Sequence, residues 1–113
     1  KRIVNCHCNL CRKMNGAAFS TYVAVLQTDF ELVTGDLSFF DVTENARKHF
    51  CGECGTPIFN SNPKYEGLTI LHLGCLDLDL LGELKPDVNI YDESKVSWLE
   101  SISGLPTFDK AIG

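Results

Sequence analysis

Three cysteines, Cys6, Cys8 and Cys11, fall within six consecutive positions near the start of the chain. A second pair, Cys51 and Cys54, lies in the segment FCGECG. Neighbours this close seldom reach the Cα separation and the dihedral angle of a relaxed disulfide. A tetrahedral zinc ion accepts such spacings, because a tight turn presents two sulfurs to one point at Zn–S distances of about 2.3 Å. The cysteine pattern therefore predicts a zinc protein.

Spacing alone leaves two arrangements of these thiols open. The pairs Cys8/Cys11 and Cys51/Cys54 are both C-x-x-C knuckles, which together would make a closed structural site of four thiolates. Cys6 is surplus to that site. Residues i and i+2 of an extended strand face the same side, so Cys6 and Cys8 point together, and a turn after Cys8 brings Cys11 back. This second arrangement is a three-thiol cup, made of Cys6, Cys8 and Cys11, with the open fourth position of a catalytic zinc.

The charge of such a cup indicates its chemistry. Zn²⁺ with three thiolates carries a formal charge of about −1, so it is a weaker Lewis acid than a zinc held by neutral histidines. It suits a soft incoming ligand such as a substrate thiol, which would be deprotonated there yet remain nucleophilic. Arg12 and Lys13 follow the cup directly and are candidates for binding a carboxylate-bearing substrate. Solvated charges at the end of a helix are the alternative for both residues.

The other reactive side chains favour structural interpretations. By strand alternation His7 is expected to face away from the cup, as a surface side chain or one behind the site. His49 and His72 lie in apolar strands and are expected to be hydrogen-bonded structural histidines. Cys75 is interpreted as a small buried hydrophobe. The sequence contains no Ser/His/Asp set and no phosphate-binding loop, and it does not identify a proton donor.

The remaining sequence predicts a mainly β protein of short strands separated by turns. A helix is predicted over residues 9–15, with Gly16 as its C-terminal stop. Residues 30–33 and 37–40 are predicted to form a hairpin around a turn at 34–36. The segment 76–84 is ambiguous between strand and helix. Further strands are predicted over residues 19–26, 46–50, 58–59, 68–73 and 88–91.

Length and charge restrict the class of protein. At 113 residues the chain is predicted to form a single domain, residues 1–113. Its net charge of −5, with no run of basic residues, argues against nucleic-acid or anionic-membrane partners. No apolar stretch approaches the roughly 20 residues needed to cross a bilayer. Six cysteines without a secretory pattern favour a reducing compartment, and the cytoplasm is the expected location.

The segments CHCNLCRKMNGAAF, FCGECGTPIF, GCLD and PDVNIYDESKVSWLE resemble the glutathione-dependent formaldehyde-activating enzyme family, which includes centromere protein V. They cover nearly the whole chain in the family's order. The resemblance implies a β-tent fold of short antiparallel strands with zinc knuckles, shared with methionine sulfoxide reductase B and a Rab nucleotide-exchange zinc protein. It implies a catalytic-type zinc on Cys6, Cys8 and Cys11, and half of a separate structural zinc site on Cys51 and Cys54.

The other half of that structural site comes, in the family, from an upstream C-x-C-G motif that this sequence does not contain. We therefore expect the domain to lack its N-terminal strand. Cys51 and Cys54 would then hold no metal, bind it weakly, or recruit Cys75 or a neighbouring chain. The family tends to carry a hydroxyl residue at the position of Cys75, which supports its interpretation as a buried hydrophobe.

The function that the resemblance implies is a zinc-dependent carbon–sulfur lyase reaction. Glutathione would add to formaldehyde to give S-hydroxymethylglutathione, so the expected partners are a small-molecule thiol and an aldehyde. Two alternatives remain open. One is a non-catalytic, zinc-stabilised binding module with a closed metal site. The other is a thiol-redox protein whose cup cysteines cycle through a disulfide or a sulfenic acid.

Overall fold

The computed structural model describes residues 2–77, 79 and 82–112. Its strands form one mixed sheet in the order β3-β4-β5-β6-β2-β1-β7, which confirms the prediction of a mainly β protein. Neighbouring strands are antiparallel, except that β1 and β7 run parallel. The strands are β1 (Arg2–Cys6), β2 (Ser20–Leu26), β3 (Leu37–Asp41), β4 (Arg47–Cys51), β5 (Pro57–Ser61), β6 (Leu68–His72) and β7 (Val88–Ile90).

The best-packed part of the sheet surrounds β2, which lies between β6 and β1. Its Tyr22 and Val23 are buried, as are Ile3 and Cys6 of β1. Aromatic and β-branched residues favour this pleated, covered environment, which explains why the segment after Phe19 forms a strand. The core therefore includes the last residue of β1, where the first cup cysteine lies.

Helix α1 (Asn9–Asn15) connects β1 to β2 and has the predicted bounds. It ends at Gly16, whose φ of 60° and ψ of 40° place it in the left-handed region that glycine adopts at low cost. No helix in the described part of the chain is long and apolar enough to cross a membrane. The ambiguous segment 76–84 falls partly on residues 78, 80 and 81, which lie outside the described residues. Short 3₁₀ helices occur at Gln27–Asp29, Pro63–Tyr65, Leu73–Cys75, Asp92–Ser94 and Leu99–Gly104.

The predicted hairpin around residues 34–36 is wrong. Residues 30–33 form no strand, and β3 pairs instead with β4, which follows it in the chain. The turn that joins β3 to β4 is closed by Thr43, whose hydroxyl accepts hydrogen bonds from the backbone N–H groups of Asn45 and Ala46. A threonine turn of this kind competes with a glycine turn and carries a weaker sequence signal. Phe30 packs its ring against Phe59, with 5.1 Å between ring centroids, instead of pairing.

Candidate metal centre

Three thiols meet at the junction of β1 and α1. Cys6 is the last residue of β1, Cys8 caps the N-terminus of α1, and Cys11 lies in the first turn of that helix. Their sulfur atoms all lie within 4.8 Å of one another. Among the described residues, no other group of three or more His, Cys, Asp or Glu side chains brings its ligand atoms this close. The structure therefore brings together the three residues of the predicted three-thiol cup.

The turn that closes the cup is also the start of the helix. Cys8 has the extended backbone of an N-cap residue (φ −65°, ψ 151°), and its sulfur accepts a hydrogen bond from the N–H of Cys11 at 3.2 Å. The Cys8 carbonyl accepts the N–H of Arg12 at 3.0 Å. A side chain that accepts such a bond satisfies one of the free N–H groups of a helix N-terminus. The hydrogen bond from the Cys11 N–H to the Cys8 sulfur thus caps the N-terminus of α1 and holds Cys11 beside Cys8.

The thiols of Cys6 and Cys11 shift each other's pKa in opposite directions. A hydrogen bond from the Cys11 thiol lowers the pKa of Cys6 to about 6, against the opposing effect of burial. The same bond to the Cys6 sulfur, together with burial, raises the pKa of Cys11 well above its usual range. The thiolate is the form of cysteine that binds metals. The cup therefore favours a thiolate at Cys6 before any metal is considered.

Tyr22 supplies a hydroxyl to the cup that the sequence interpretation missed. Burial, and then a hydrogen bond to Cys11, raise the pKa of Tyr22, so its phenol stays protonated and donates to the Cys11 sulfur. The side-chain amide of Asn15 donates to Tyr22 Oη at 3.2 Å and to Ser20 Oγ at 2.7 Å. Ser20 and Tyr22 are two positions apart on β2, so their side chains lie on the same side of the strand. This alternation was the sequence feature that could have indicated the polar contacts of β2 with the cup region.

His7 lies in the core, so of the two predicted positions, at the surface or behind the site, the surface position is wrong. The residue is 2% exposed. Its N–H donates to the carbonyl of Ile90 at 3.0 Å, and its Nε2 lies 3.3 Å from Asn89 Oδ1. Its ring packs against Phe19, with 5.1 Å between centroids. The cause is β7, which comes from a distant part of the sequence and pairs with β1 beside the cup.

Arg12 and Lys13, the predicted substrate-binding residues, lie on α1 just beyond the cup. The Arg12 guanidinium donates to Asn9 Oδ1 at 3.2 Å, a contact within the helix. Lys13 is exposed and lines a groove on the outer side of α1. A substrate contact for either residue remains a prediction.

The second cysteine pair lies in the tight turn between β4 and β5. Cys51 ends β4, and its carbonyl accepts the N–H of Gly55 at 2.9 Å. Cys54 is exposed, and a hydrogen bond with the Thr56 hydroxyl, at 3.0 Å from its sulfur, lowers the pKa of Cys54. The pair does not join the cup sulfurs, so the closed four-thiolate site considered above is not formed among the described residues.

The two remaining histidines are hydrogen-bonded structural side chains, as expected, whereas Cys75 is only half-buried and its thiol is a hydrogen-bond donor rather than a buried hydrophobe. His72 is buried, and its Nε2 lies 2.8 Å from Asn60 Oδ1. His49 stacks on Phe59 at 4.1 Å between centroids and hydrogen-bonds Ser61 Oγ at 3.0 Å. The half-buried Cys75 thiol donates to the carbonyl of His72 at 3.0 Å, and burial raises the pKa of Cys75. All three side chains have structural roles within the sheet.

The donor set fits zinc. Three soft sulfur ligands lie close enough for one ion to contact all of them, through bonds of about 2.3 Å, after small side-chain rotations. Fold and site together define a small β-sheet protein with a candidate metal centre made of cysteines alone. The chain belongs to the glutathione-dependent formaldehyde-activating enzyme family, whose sequence model matches residues 1–94. That match spans both cysteine clusters and all the strands from β1 to β7. A search of curated proteins found no match.

Proposed function

We propose that the protein is a zinc-dependent enzyme of the carbon–sulfur lyase type, which adds the thiol of glutathione to formaldehyde and forms S-hydroxymethylglutathione. The observation that carries this proposal is the incomplete ligand set. Three sulfurs converge, and no fourth Cys, His, Asp or Glu side chain of the described residues joins them. A tetrahedral ion held there has one position left for a substrate.

Cys6, Cys8 and Cys11 are the proposed ligands. A zinc ion held by these three thiolates would supply a position at which a substrate thiol could ionise near neutral pH while its sulfur stayed nucleophilic. Burial of Cys6 and the N-cap role of Cys8 hold two of the ligands in place before the metal binds. The Tyr22 phenol, which burial keeps protonated, lowers the pKa of the third ligand, Cys11, and so favours its thiolate form.

The reaction needs no redox partner. The glutathione sulfur forms a bond to the aldehyde carbon, the C=O double bond becomes a C–O single bond, and the proton lost by the thiol ends on that oxygen. Because the uncatalysed addition already proceeds, the protein has to supply only a few orders of magnitude in rate, roughly 4–6 kcal/mol. This modest demand is compatible with a site whose described residues show no paired acid and base.

The family resemblance also supports a structural role for the second pair, as half of a separate zinc site on Cys51 and Cys54. Its support in the structure is the tight turn that holds both residues and the exposure of the Cys54 sulfur. Six unpaired thiols favour a reducing compartment, so we propose a cytoplasmic location.

One other function has support in the same geometry. Thiols within 4.8 Å of one another, with the pKa of Cys6 lowered, are also suited to redox chemistry. A fully zinc-loaded protein whose thiols resist oxidation would rule this alternative out.

Exchange spectroscopy tests the proposed reaction. Carbon-13-labelled formaldehyde and glutathione are equilibrated with their adduct, and magnetisation transfer between free and adduct carbon gives the addition rate. We expect the zinc-loaded protein to raise this rate in proportion to its concentration. A chelator should return it to the uncatalysed value, and added zinc should restore it. A rate independent of protein concentration would contradict the enzyme proposal and favour a binding module.

A further inference from the structure

A groove of about 470 Å³ runs between the outer side of α1 and the strands β3 and β4. Its walls are largely apolar and include Leu10 and Met14 of the helix and Phe40 and Phe50 of the strands. Two lysines, Lys13 and Lys48, also line it. Its size is within the range of about 300–1,000 Å³ that is typical of sites for small organic ligands.

The two lysines give the groove a positive charge that nothing in the described structure neutralises. No Asp or Glu is among its lining residues. The ion pairs that the described residues form involve Arg47 and Lys95, and neither groove lysine takes part in one. An apolar wall beside unpaired ammonium groups is complementary to a ligand with carboxylates on a short flexible chain.

Lys48 is held in place by the helix. Its Nζ donates to the carbonyl of Met14 at 2.8 Å, in the last turn of α1, where carbonyls have no partner within the helix. An ammonium group has three N–H donors, so two remain for a ligand. Burial lowers the pKa of Lys48, because the partly covered ammonium group lacks full solvation, and an incoming carboxylate would compensate for that loss.

The groove and the cup share helix α1. Leu10 and Cys11 are consecutive in α1, and each residue of a helix advances by about 100° around its axis. Leu10, Lys13 and Met14 therefore share one face, while Cys11 lies on the adjacent face toward Tyr22. A ligand with its thiol at the cup would have to span these two adjacent faces of α1 to place a carboxylate among the lysines.

We infer that this groove binds the carboxylate end of the substrate thiol, and that Lys48, with Lys13, selects an anionic peptide-like thiol over a small neutral one. The inference rests on the proposed function for its link to the cup. It names two specificity-determining residues that lie outside the metal ligands. Two other grooves of the described structure, one beside Phe19 and His72 and one beside Tyr65, have no lysine among their lining residues.

The test uses S-methylglutathione, which keeps both carboxylates of glutathione but has no free thiol. It is titrated into nitrogen-15-labelled, zinc-loaded protein and followed through backbone amide shifts. We expect saturable shifts at Leu10, Lys13 and Phe50. Lys48→Met should raise the dissociation constant by roughly tenfold or more, the effect of losing one charge-assisted hydrogen bond. The dimethyl ester of the same ligand, which lacks both negative charges, should bind wild type at least as weakly as the acid binds Lys48→Met.

Two matched variants serve as controls. Lys48→Arg keeps the charge and should retain most of the affinity, whereas Lys64→Met removes an exposed lysine that does not line the groove and should change nothing. Absence of shifts at the groove, or equal affinity for the acid in wild type and Lys48→Met, would overturn the inference. Because the probe has no thiol, those results leave the proposed function standing. Conversely, groove binding without any thiol-addition activity would count against the proposed function alone.

Discussion

Replacing Cys11 with serine is expected to abolish the thiol-addition activity, with a fall to the uncatalysed rate. A serine hydroxyl is not ionised at neutral pH and is a hard, weak ligand for zinc, so only two thiolates would remain. Removing a residue that only hydrogen-bonds to a metal ligand already lowers the metal affinity by about 10–100-fold. Removing the ligand itself should therefore lower the zinc affinity by at least about 100-fold. Cys11→Ser protein should therefore contain less than one zinc at this site and show an addition rate close to the uncatalysed value.

Cys75→Ser is the matched control for that experiment. Cys75 lies outside the cup and donates only to backbone carbonyls, a bond that a serine hydroxyl also makes. Its zinc content and its addition rate should equal those of wild type. Circular dichroism checks that both variants keep the sheet. A folded Cys11→Ser protein that accelerates the addition as wild type does would show that the cup is not the reaction site.

The second large effect concerns stability against acid. Burial in the sheet lowers the pKa of His72 from 6.5 to about 4, and the charge of Lys48 adds to that shift. The neutral imidazole is also in edge contact with Tyr22, with 5.0 Å between ring centroids. Between pH 6.5 and pH 4 the unfolded chain binds a proton that the folded chain does not, so stability falls as the pH falls. The loss should be about 3 kcal/mol, complete near pH 4 and absent above pH 6.5.

His72→Gln isolates this contribution. The glutamine amide can still donate to Asn60 Oδ1, but it does not titrate. Urea unfolding at pH 7, 5.5 and 4 should show wild type losing about 3 kcal/mol more than the variant over that range. Release of metal from the cup affects both proteins equally and cancels in the difference. Parallel stability curves for the two proteins would mean that His72 is not held neutral in the folded state.

The parts of the molecule that the sequence predicted correctly depend on local interactions. The bounds of α1 follow from its N-cap, Cys8, and its C-cap, Gly16, which lie directly before and after the helix. The cup sulfurs converge because one turn separates Cys8 from Cys11. The strands at Ser20–Leu26 and Leu68–His72 are runs of β-branched and apolar residues that pair with each other at the centre of the sheet.

The parts that the sequence did not predict depend on partners far along the chain. His7 is buried because β7, some 80 residues later, pairs with β1. Nothing in the alternation of residues 6–8 indicates that strand. The hairpin prediction was wrong for a related reason. The turn closed by Thr43 lets β3 pair with β4, which follows it in the chain, instead of with residues 30–33, which precede it. The contribution of Tyr22 to the cup also required knowledge of how β2 packs against α1.

Cobalt substitution shows directly whether the cup leaves one metal position open for a thiol. Cobalt replaces zinc in the protein, and glutathione is titrated while the sulfur-to-cobalt charge-transfer and d–d absorption bands are recorded. We expect a saturable change in band intensity, with one glutathione per cobalt in the cup, and no such change in Cys11→Ser protein. Spectra that stay unchanged at high glutathione would show a closed four-ligand site, and the protein would then be a structural zinc module rather than an enzyme.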